Sequence, residues 1–385
     1  MGSDGFGSRR PFDEPPSARA EVFGVSENRD KSRKSMFRQG LPNEPVVVSI
    51  FLVPNFTMVA FTSLIEPMRL TNWLSGRTIF EWRIVSRDGD GVIASNGVTI
   101  SADIGMSALE RPANVVVCAG LEAHLFNDAV TLGYLRRWAR EGAHIGSMDT
   151  GAYILARAGL LNGYRCTIHW WSLDSFAEEF PDVEVRAELF EIDRDRFTCA
   201  GGIAGFDMMM REASMLAGSD IAAQVSEQIM HERVREGHDD QRLPLQARLR
   251  VSHPKLIKAI AAMEKHTEEA LSRDEIASRV GLSRRQLERL FRRYLSTSPA
   301  RYYLKLRLNR AKTLLTQTTM PVTEVAFASG FTSASHFSKC YRDMFGRTPR
   351  AERRHEVAAN DGEYPIDGDD DDLDTLDDEF LDSDE

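Results

Sequence analysis

Two stretches of this chain follow one grammar about fifty residues apart, and the repetition narrows the possible folds of its last third more than any other feature does. Ser272 and Glu275 make a capping box, the reciprocal pairing of side chains with free backbone N–H groups that opens a helix, and Ile276, Ala277 and Val280 give that helix an apolar face. Gly281 ends it, because the sharp turn needs a positive φ that glycine adopts without strain. Ser283 and Gln286 then form a second capping box. The helix they open is expected to bury Leu287, Leu290, Phe291 and Tyr294 while presenting Arg284, Arg285, Arg289, Arg292 and Arg293. Helix, glycine turn and capped basic helix is the helix-turn-helix pattern. The second copy runs Val325-Ala326, Gly330, a Ser333 cap, and then Phe337, Cys340, Tyr341 and Phe345 as the buried set. Arg284 to Pro299 aligns with Ala334 to Pro349 at a constant offset of 50, and the two turns differ by one residue. An internal duplication is far less open to chance than a single match.

Between the copies Leu304, Leu308, Ala311 and Leu315 recur at steps of 4, 3 and 4, one face of a long helix. Such a connector can hold the two units about 34 Å apart, so that each second helix enters successive major-groove segments on one side of a duplex. Arg284, Arg285 and Arg289 lie near the start of the first reading helix, where side chains reach base edges, whereas Arg292 and Arg293 read first as a solvated face. The second copy offers Ser335, His336, Ser338, Lys339 and Arg342, a less basic set with a larger share of phosphate positioning. Charge supports the same assignment. Residues 245 to 355 hold 23 Lys and Arg against 9 Asp and Glu in a chain whose net charge is −10, a basic module of the kind that binds nucleic acid. Residues 356 to 385 hold 15 acidic residues and no Lys or Arg, a disordered acidic tail that either solubilises the chain or mimics phosphate against the basic module.

A chain of 385 residues is long enough for two domains with separate cores. Residues 1 to 43 lack an apolar period and read as a disordered leader, and 237 to 245, with Gly237, two aspartates and Pro244, read as a linker to the DNA-binding domain of 246 to 352. Residues 44 to 236 alternate apolar strands with amphipathic helices, the pattern of a parallel sheet covered on both faces. Val46 to Val53 is a strong first strand, Met58 to Asn72 a helix, and Asn114 to Gly120 a buried strand ending in a turn. The short strand His144 to Ser147 runs directly into Met148-Asp149-Thr150-Gly151-Ala152, which opens a helix through Ala158. A strand turning sharply into a helix puts the turn residue at the carboxyl edge of the sheet, where open α/β folds bind ligands. Asp149 therefore has two readings, the N-cap of its helix and a pocket carboxylate. Glu66 and Arg69, one helical turn apart, suggest a surface ion pair.

Ala326-Phe327-Ala328-Ser329-Gly330-Phe331, with Ser335-His336-Phe337-Ser338, Tyr341-Arg342, Phe345-Gly346 and Thr348-Pro349, resembles the AraC/XylS family signature. The resemblance implies an all-α domain that binds two adjacent major grooves at promoters. The region before it resembles the class I glutamine amidotransferase-like superfamily in its intracellular-protease-like branch, and the fusion of the two resembles the GlxA-like regulators. That implies a flavodoxin-like parallel-sheet sensor domain followed by the all-α domain with its two helix-turn-helix units. Enzymes of the superfamily carry a nucleophilic cysteine at the elbow and a following histidine; here Asp149 stands at the elbow and His169 near the histidine position. The segment Asn55-Phe56-Thr57-Met58 supplies no acidic partner, so a sensor without catalysis is expected, against the alternative of an amidase or hydrolase with a DNA-binding appendage. Asp149, Thr150, His169, Trp170 and Asn55 are the candidate effector site, with His169 read equally as a core histidine and Trp170 and Trp171 as one core residue and one pocket wall. A carboxylate beside aromatic rings suits an amine, quaternary ammonium compound or amino acid. GlxA-like regulators with an Asp-Thr-Gly elbow include ones that respond to glycine betaine, carnitine or arginine.

Promoter DNA, a small-molecule effector and a second copy joined through the sensor domain are the expected partners, with RNA polymerase a further one. Cys118, Cys166, Cys199 and Cys340 show neither paired nor metal-ligand spacing and read as reduced thiols, so no metal and no cofactor is expected. No run of about 18 apolar residues and no secretory signal core is present; membrane contact is not expected, and the cytoplasm is the expected location.

Overall fold

The computed structural model describes residues 34–353, which divide into two compact units: residues 34–170 with Phe180–Gln241, and Trp171–Glu179 with the chain from Arg242 onward. The first unit runs, in chain order, β1 (Val46–Leu52), α1 (Met58–Ser75), β2 (Phe80–Ser86), β3 (Val92–Ile93), β4 (Thr99–Ile100), β5 (Ile104–Gly105), β6 (Asn114–Cys118), α2 (Ala129–Arg140), β7 (His144–Met148) and α3 (Ala152–Arg157). After β8 (Arg165–Cys166) the chain forms α4 (Leu173–Glu179), which belongs to the second unit, and then returns as β9 (Glu184–Val185), β10 (Phe190–Asp193), β11 (Arg196–Cys199), α5 (Ala204–Ala217) and α6 (Ser219–Gln228).

Seven strands form one sheet in the order β10-β11-β7-β6-β1-β2-β5, parallel throughout except for the β10–β11 pair. β1 and β6 take the centre because their apolar runs do not alternate: every residue of β6 is buried, as a strand covered on both faces requires. Val48, Ile50 and Leu52 share one cluster with Leu64 and Met68 of α1 and Met208 of α5, and each fully buried side chain of this size contributes roughly 1.5–3 kcal/mol. Glu66 and Arg69 pair at 2.7 Å. Among the described residues no helix is long and apolar enough to cross a membrane.

Three boundaries differ from the expectation drawn from the sequence. The presumed leader, residues 1 to 43, is ordered over its last part. Met36 and Phe37 are buried, the Phe37 ring packs edge-on against Phe80 and Phe197 at 6.4 and 5.4 Å, and Asn114 at the start of β6 accepts the Arg38 N–H at 2.6 Å. Two isolated apolar residues give no period, so only the tertiary contacts reveal this strap. The start of the presumed linker is docked on the first unit: the Gly237 carbonyl accepts the Leu189 N–H at 2.8 Å, and the Gln241 amide donates to Thr167 Oγ1 and to the Ile168 and Glu188 carbonyls. Finally, α4 leaves the 44–236 segment for the second unit. Residues 1–33 and the acidic tail of 356–385 lie outside the described residues.

The second unit adds α7 (Leu245–Leu249), α8 (Pro254–Lys265), α9 (Arg273–Arg279), α10 (Arg284–Leu295), α11 (Pro299–Gln317), α12 (Val322–Ala328) and α13 (Ala334–Phe345). α11 is the connector, with Leu304, Leu308, Ala311 and Leu315 all buried. α4 packs on it: the Ser175 hydroxyl donates to Gln317 Oε1 at 2.6 Å in a buried bond, and Arg310 faces Glu178 at 3.5 Å. Tyr294, expected in the core as a period-matched residue, is 39% exposed instead. It sits in the last turn of α10 with its ring against His253 at 5.5 Å, and the next residue, Leu295, packs on the apolar cluster in its place.

Candidate nucleic-acid interface and effector site

Both reading helices start at a serine whose hydroxyl accepts a backbone N–H three residues on. For α10 the box is complete: Ser283 Oγ accepts the Gln286 N–H at 3.3 Å and Gln286 Oε1 accepts the Ser283 N–H at 2.8 Å. The capping box of Ser272 and Glu275 on α9 is also complete. For α13, Ser333 Oγ accepts the His336 N–H at 3.4 Å. Gly281 and Gly330 hold the turns before them at φ of 62° and 77°. Leu287 and Phe291 of α10 face the core with no exposed surface, which turns Arg284, Arg285, Arg289, Arg292 and Arg293 to solvent. On α13, Phe337 and Tyr341 are buried, while Ser335, Lys339 and Arg342 are exposed. His336 is half-buried with its ring against Phe331 at 5.8 Å, and the Ser338 hydroxyl is turned back to the Ala334 carbonyl at 2.8 Å. Cys340 and Phe345 are only partly buried, as is Leu290 in the first copy. The two faces thus differ in charge, five arginines on α10 against one lysine and one arginine on α13.

The other candidate site lies at the carboxyl ends of β1, β6, β7 and β11. Asp149 follows β7 at a φ of 59° and Asn55 follows β1 at 61°, both in the left-handed region that Asn and Asp tolerate better than most residues. The backbone is close-packed here. A Cβ on Gly120, after β6, would come within 2.0 Å of the Asn55 carbonyl oxygen, and one on Gly201, after β11, within 2.7 Å of the Asp149 Cβ. The Asp149 N–H donates to the Cys199 carbonyl at 2.9 Å, tying the elbow to β11. Its side chain is 5% exposed. Burial pushes the Asp149 carboxyl up to about 7, with bonds from the Thr57 hydroxyl and the Thr150 N–H pulling the other way. Asp149 is not the helix cap: α3 starts at Ala152 and its N-cap is Gly151.

Of the other residues proposed from the sequence, Thr150 is fully buried and its hydroxyl bonds the Gly120 carbonyl, so it braces β6 against the elbow. The Asn55 amide donates to Glu122 Oε2 at 2.6 Å. His169 and Trp170 follow β8, half-buried and ring to ring at 5.4 Å, and burial lowers the His169 pKa so that the neutral imidazole is favoured. Thr57, Glu122 and Gly201 belong to the Asp149 edge although sequence reasoning passed over them. Glu122 had no motif around it; its turn is held by Arg157 of α3, which donates to the Phe126 carbonyl at 2.6 Å. The thiols of Cys118 and Cys199, at the ends of β6 and β11, are pushed up by burial and by the Asp149 carboxylate, Cys199 to about 12.

Comparison with known proteins places these sites in a family context. Residues 276–355 match a family model described as a helix-turn-helix domain. The HTH-type transcriptional regulator GbdR of Pseudomonas aeruginosa is 44% identical over 323 residues, 83% of this chain and 88% of that protein. The HTH-type transcriptional regulator GlxA of Rhizobium meliloti is 35% identical, with 80% of this chain and 95% of that one covered. The crystal structure of an AraC family transcriptional regulator from Pseudomonas putida is 29% identical and superposes with a TM-score of 0.44 over 48% of this chain and all of that one.

Proposed function

The chain belongs to the AraC family of HTH-type transcriptional regulators, in the GlxA-like branch that joins this DNA-binding domain to a ThiJ/PfpI-like domain, and from that membership we propose that its first unit is a catalytically inactive sensor for a small cationic metabolite. The observation that carries the proposal is the Asp149 carboxyl, buried on a positive-φ elbow and pushed up to about 7. A carboxylate that has lost its water regains favourable interaction when a cation approaches, so amines, quaternary ammonium groups and cationic amino acids are selected over neutral or anionic ligands. Trp170 is the proposed cation–π wall. A hydrolase is disfavoured because the elbow carries a carboxyl in place of a thiol, and the neighbouring cysteines are held as thiols rather than as nucleophilic thiolates. The second unit reads promoter DNA, with Arg284, Arg285 and Arg289 proposed at base edges and Ser335, His336, Lys339 and Arg342 proposed in the adjacent groove.

Asp149→Asn tests the sensor. Asn tolerates the left-handed backbone and keeps the shape while removing the charge. Glycine betaine, carnitine and arginine serve as probes, read by the melting-temperature shift of the full chain. At least one probe is expected to stabilise the native protein and not the variant. A bound cation selects the ionised carboxyl, whose population rises about tenfold between pH 6 and pH 8 for a pKa near 7, so affinity rises about tenfold over that window. The sign for stability alone is opposite. A folded-state pKa raised above 3.8 means the protonated carboxyl favours folding and that contribution is lost as pH rises through 7, so without ligand the variant gains up to about 4 kcal/mol on the native protein by pH 8. A folded variant that responds to the probes as the native protein does, or a response independent of pH, refutes the carboxylate reading.

A further inference from the structure

The two helix-turn-helix units do not share a single apolar core. Leu287 and Phe291 of α10 cluster with Leu256, Ile260 and Tyr303, whereas Phe337 and Tyr341 of α13 cluster with Leu308, Leu314 and Phe331. α11 contributes to both, so apolar packing seats each reading helix on the connector separately. A polar node joins them directly. The turn of residues 266–271, between α8 and α9, belongs to the first helix-turn-helix unit, and two residues of α11 and the glycine turn of the second unit converge on it. The Tyr303 hydroxyl donates to the His266 carbonyl and accepts the Leu271 N–H at 3.2 Å. Arg310 donates to Thr267 Oγ1 at 2.6 Å and faces Glu268 at 3.7 Å. The glycine turn of the second unit lies against the same backbone, since a Cβ on Gly330 would come within 2.5 Å of the Thr267 carbonyl oxygen and 2.8 Å of that of Glu268.

The same glycine turn is held by Arg307, whose Nε a Cβ on Gly330 would meet at 3.3 Å. Its guanidinium is buried, donates Nε to the Ser329 carbonyl at 3.0 Å and Nη2 to the Gly330 carbonyl, and lies over the Phe331 ring at 4.2 Å. Phe331 packs in turn on Phe337 of α13, ring centroids 5.2 Å apart. An unbroken line of contacts therefore runs from the first unit's turn through Gly330 and Phe331 to the second reading helix. Charge-assisted bonds to two backbone carbonyls in a buried setting are among the stiffer ties a side chain makes. We propose that Gly330 and Arg307 fix the angle between the two reading helices, and thereby determine which spacing between DNA half-elements the protein accepts. One inserted base pair moves a half-element by about 3.4 Å along the duplex and roughly 35° around it, a combined shift that a rigid pair of helices does not follow and a loosened pair does.

The proposal rests on α10 and α13 being the DNA-reading helices, and the test separates the two claims. The full chain first selects a preferred duplex from a random-sequence pool; binding is then measured on that duplex, on versions with one base pair added or removed between its halves, and on each half alone. The native protein and the control Gly281→Ala are expected to lose about tenfold or more when the spacing changes. Arg307→Lys, which keeps the charge but not the two-carbonyl fork, and Tyr303→Phe, which keeps the ring but not the hydroxyl, are expected to lose less than about threefold while binding each half as the native protein does. Gly330→Ala is expected to behave likewise. Arg307→Lys decides the matter if Gly330→Ala does not fold. Folded variants that keep the native spacing penalty, or that weaken half-elements and full duplexes by the same factor, overturn the proposal. Absence of any sequence preference in the native protein overturns instead the reading of α10 and α13.

Discussion

Gly281 and Gly330 close equivalent turns at similar positive φ, yet a Cβ on Gly281 would meet only the tip of Lys255 at 3.8 Å, whereas one on Gly330 would be driven into two backbone carbonyls. The same contrast runs through both helix-turn-helix units. In the first, a complete capping box starts the reading helix, five arginines line the exposed face, and the glycine turn is met by the exposed Lys255 ammonium, which donates to the Gly281 carbonyl at 2.7 Å. The second has a weaker cap and fewer charges, and its turn is gripped from outside by Arg307 and by the 266–271 backbone. Duplicated units need not divide their work evenly. One copy holds most of the charge that attracts DNA, and the other is held where the first copy and the connector put it.

The contrast is sharpest in the glycines, where the largest effect is expected. Gly281→Ala introduces strain at positive φ alone and is expected to cost about 1 kcal/mol. Gly330→Ala adds a collision between backbones that cannot rotate away, for roughly 3 kcal/mol in all. Denaturant unfolding of the two full-length variants measures the difference. Equal losses would mean that the 266–271 backbone yields freely, and the asymmetry between the units would be gone.

A smaller effect is expected where the units meet DNA. Arg285→Ala is expected to weaken binding to the selected duplex by about 1–3 kcal/mol and binding to random duplex much less, as loss of a base contact does. Lys339→Ala is expected to cost less than about 1 kcal/mol, equally on both duplexes, with the salt slope reduced by about one, as loss of a phosphate contact does. Fluorescence anisotropy on both duplexes at several salt concentrations reads all of these. Equal losses for Arg285→Ala on both duplexes would make the two copies alike in mode and different only in charge.

The sequence made legible what depends on neighbours within about four residues. Ser272 with Glu275 and Ser283 with Gln286 were readable as boxes because both partners lie three positions apart, and Leu304, Leu308, Ala311 and Leu315 were readable as a face because the period of the helix fixes them. The elbow at Asp149 was readable for the same reason, as a strand followed after three residues by a helix. Illegible were the facts that need two distant segments at once. The buried Phe37, the partner Glu122 of Asn55, and the closeness of Gly201 to Asp149 have no local signal, since the contacts span 43 or more positions. Gly330 is the instructive case. Its positive φ was foreseeable from the turn, but its second duty, letting the Thr267 and Glu268 carbonyls approach, appears only when the first unit is folded beside it.

The smallest expected effect lies in the caps and tests whether the asymmetry extends to local structure. Ser283 Oγ accepts the Gln286 N–H, and the Gln286 side chain returns the bond, so two of the four free N–H groups at the start of α10 are satisfied by one pair of residues. Ser333 Oγ accepts the His336 N–H at 3.4 Å, near the limit of a useful bond, and the His336 ring lies against Phe331. Ser283→Ala is therefore expected to cost about 1 kcal/mol and Ser333→Ala about 0.5 kcal/mol, while glycine at either position costs only a few tenths. Comparing alanine with glycine at each site isolates the hydroxyl from backbone preference. If Ser333→Ala proves as costly as Ser283→Ala in denaturant unfolding of the full chain, α13 depends on its own cap as much as α10 does. The second unit would then be no more reliant on outside support than the first, whatever Arg307 contributes to its turn.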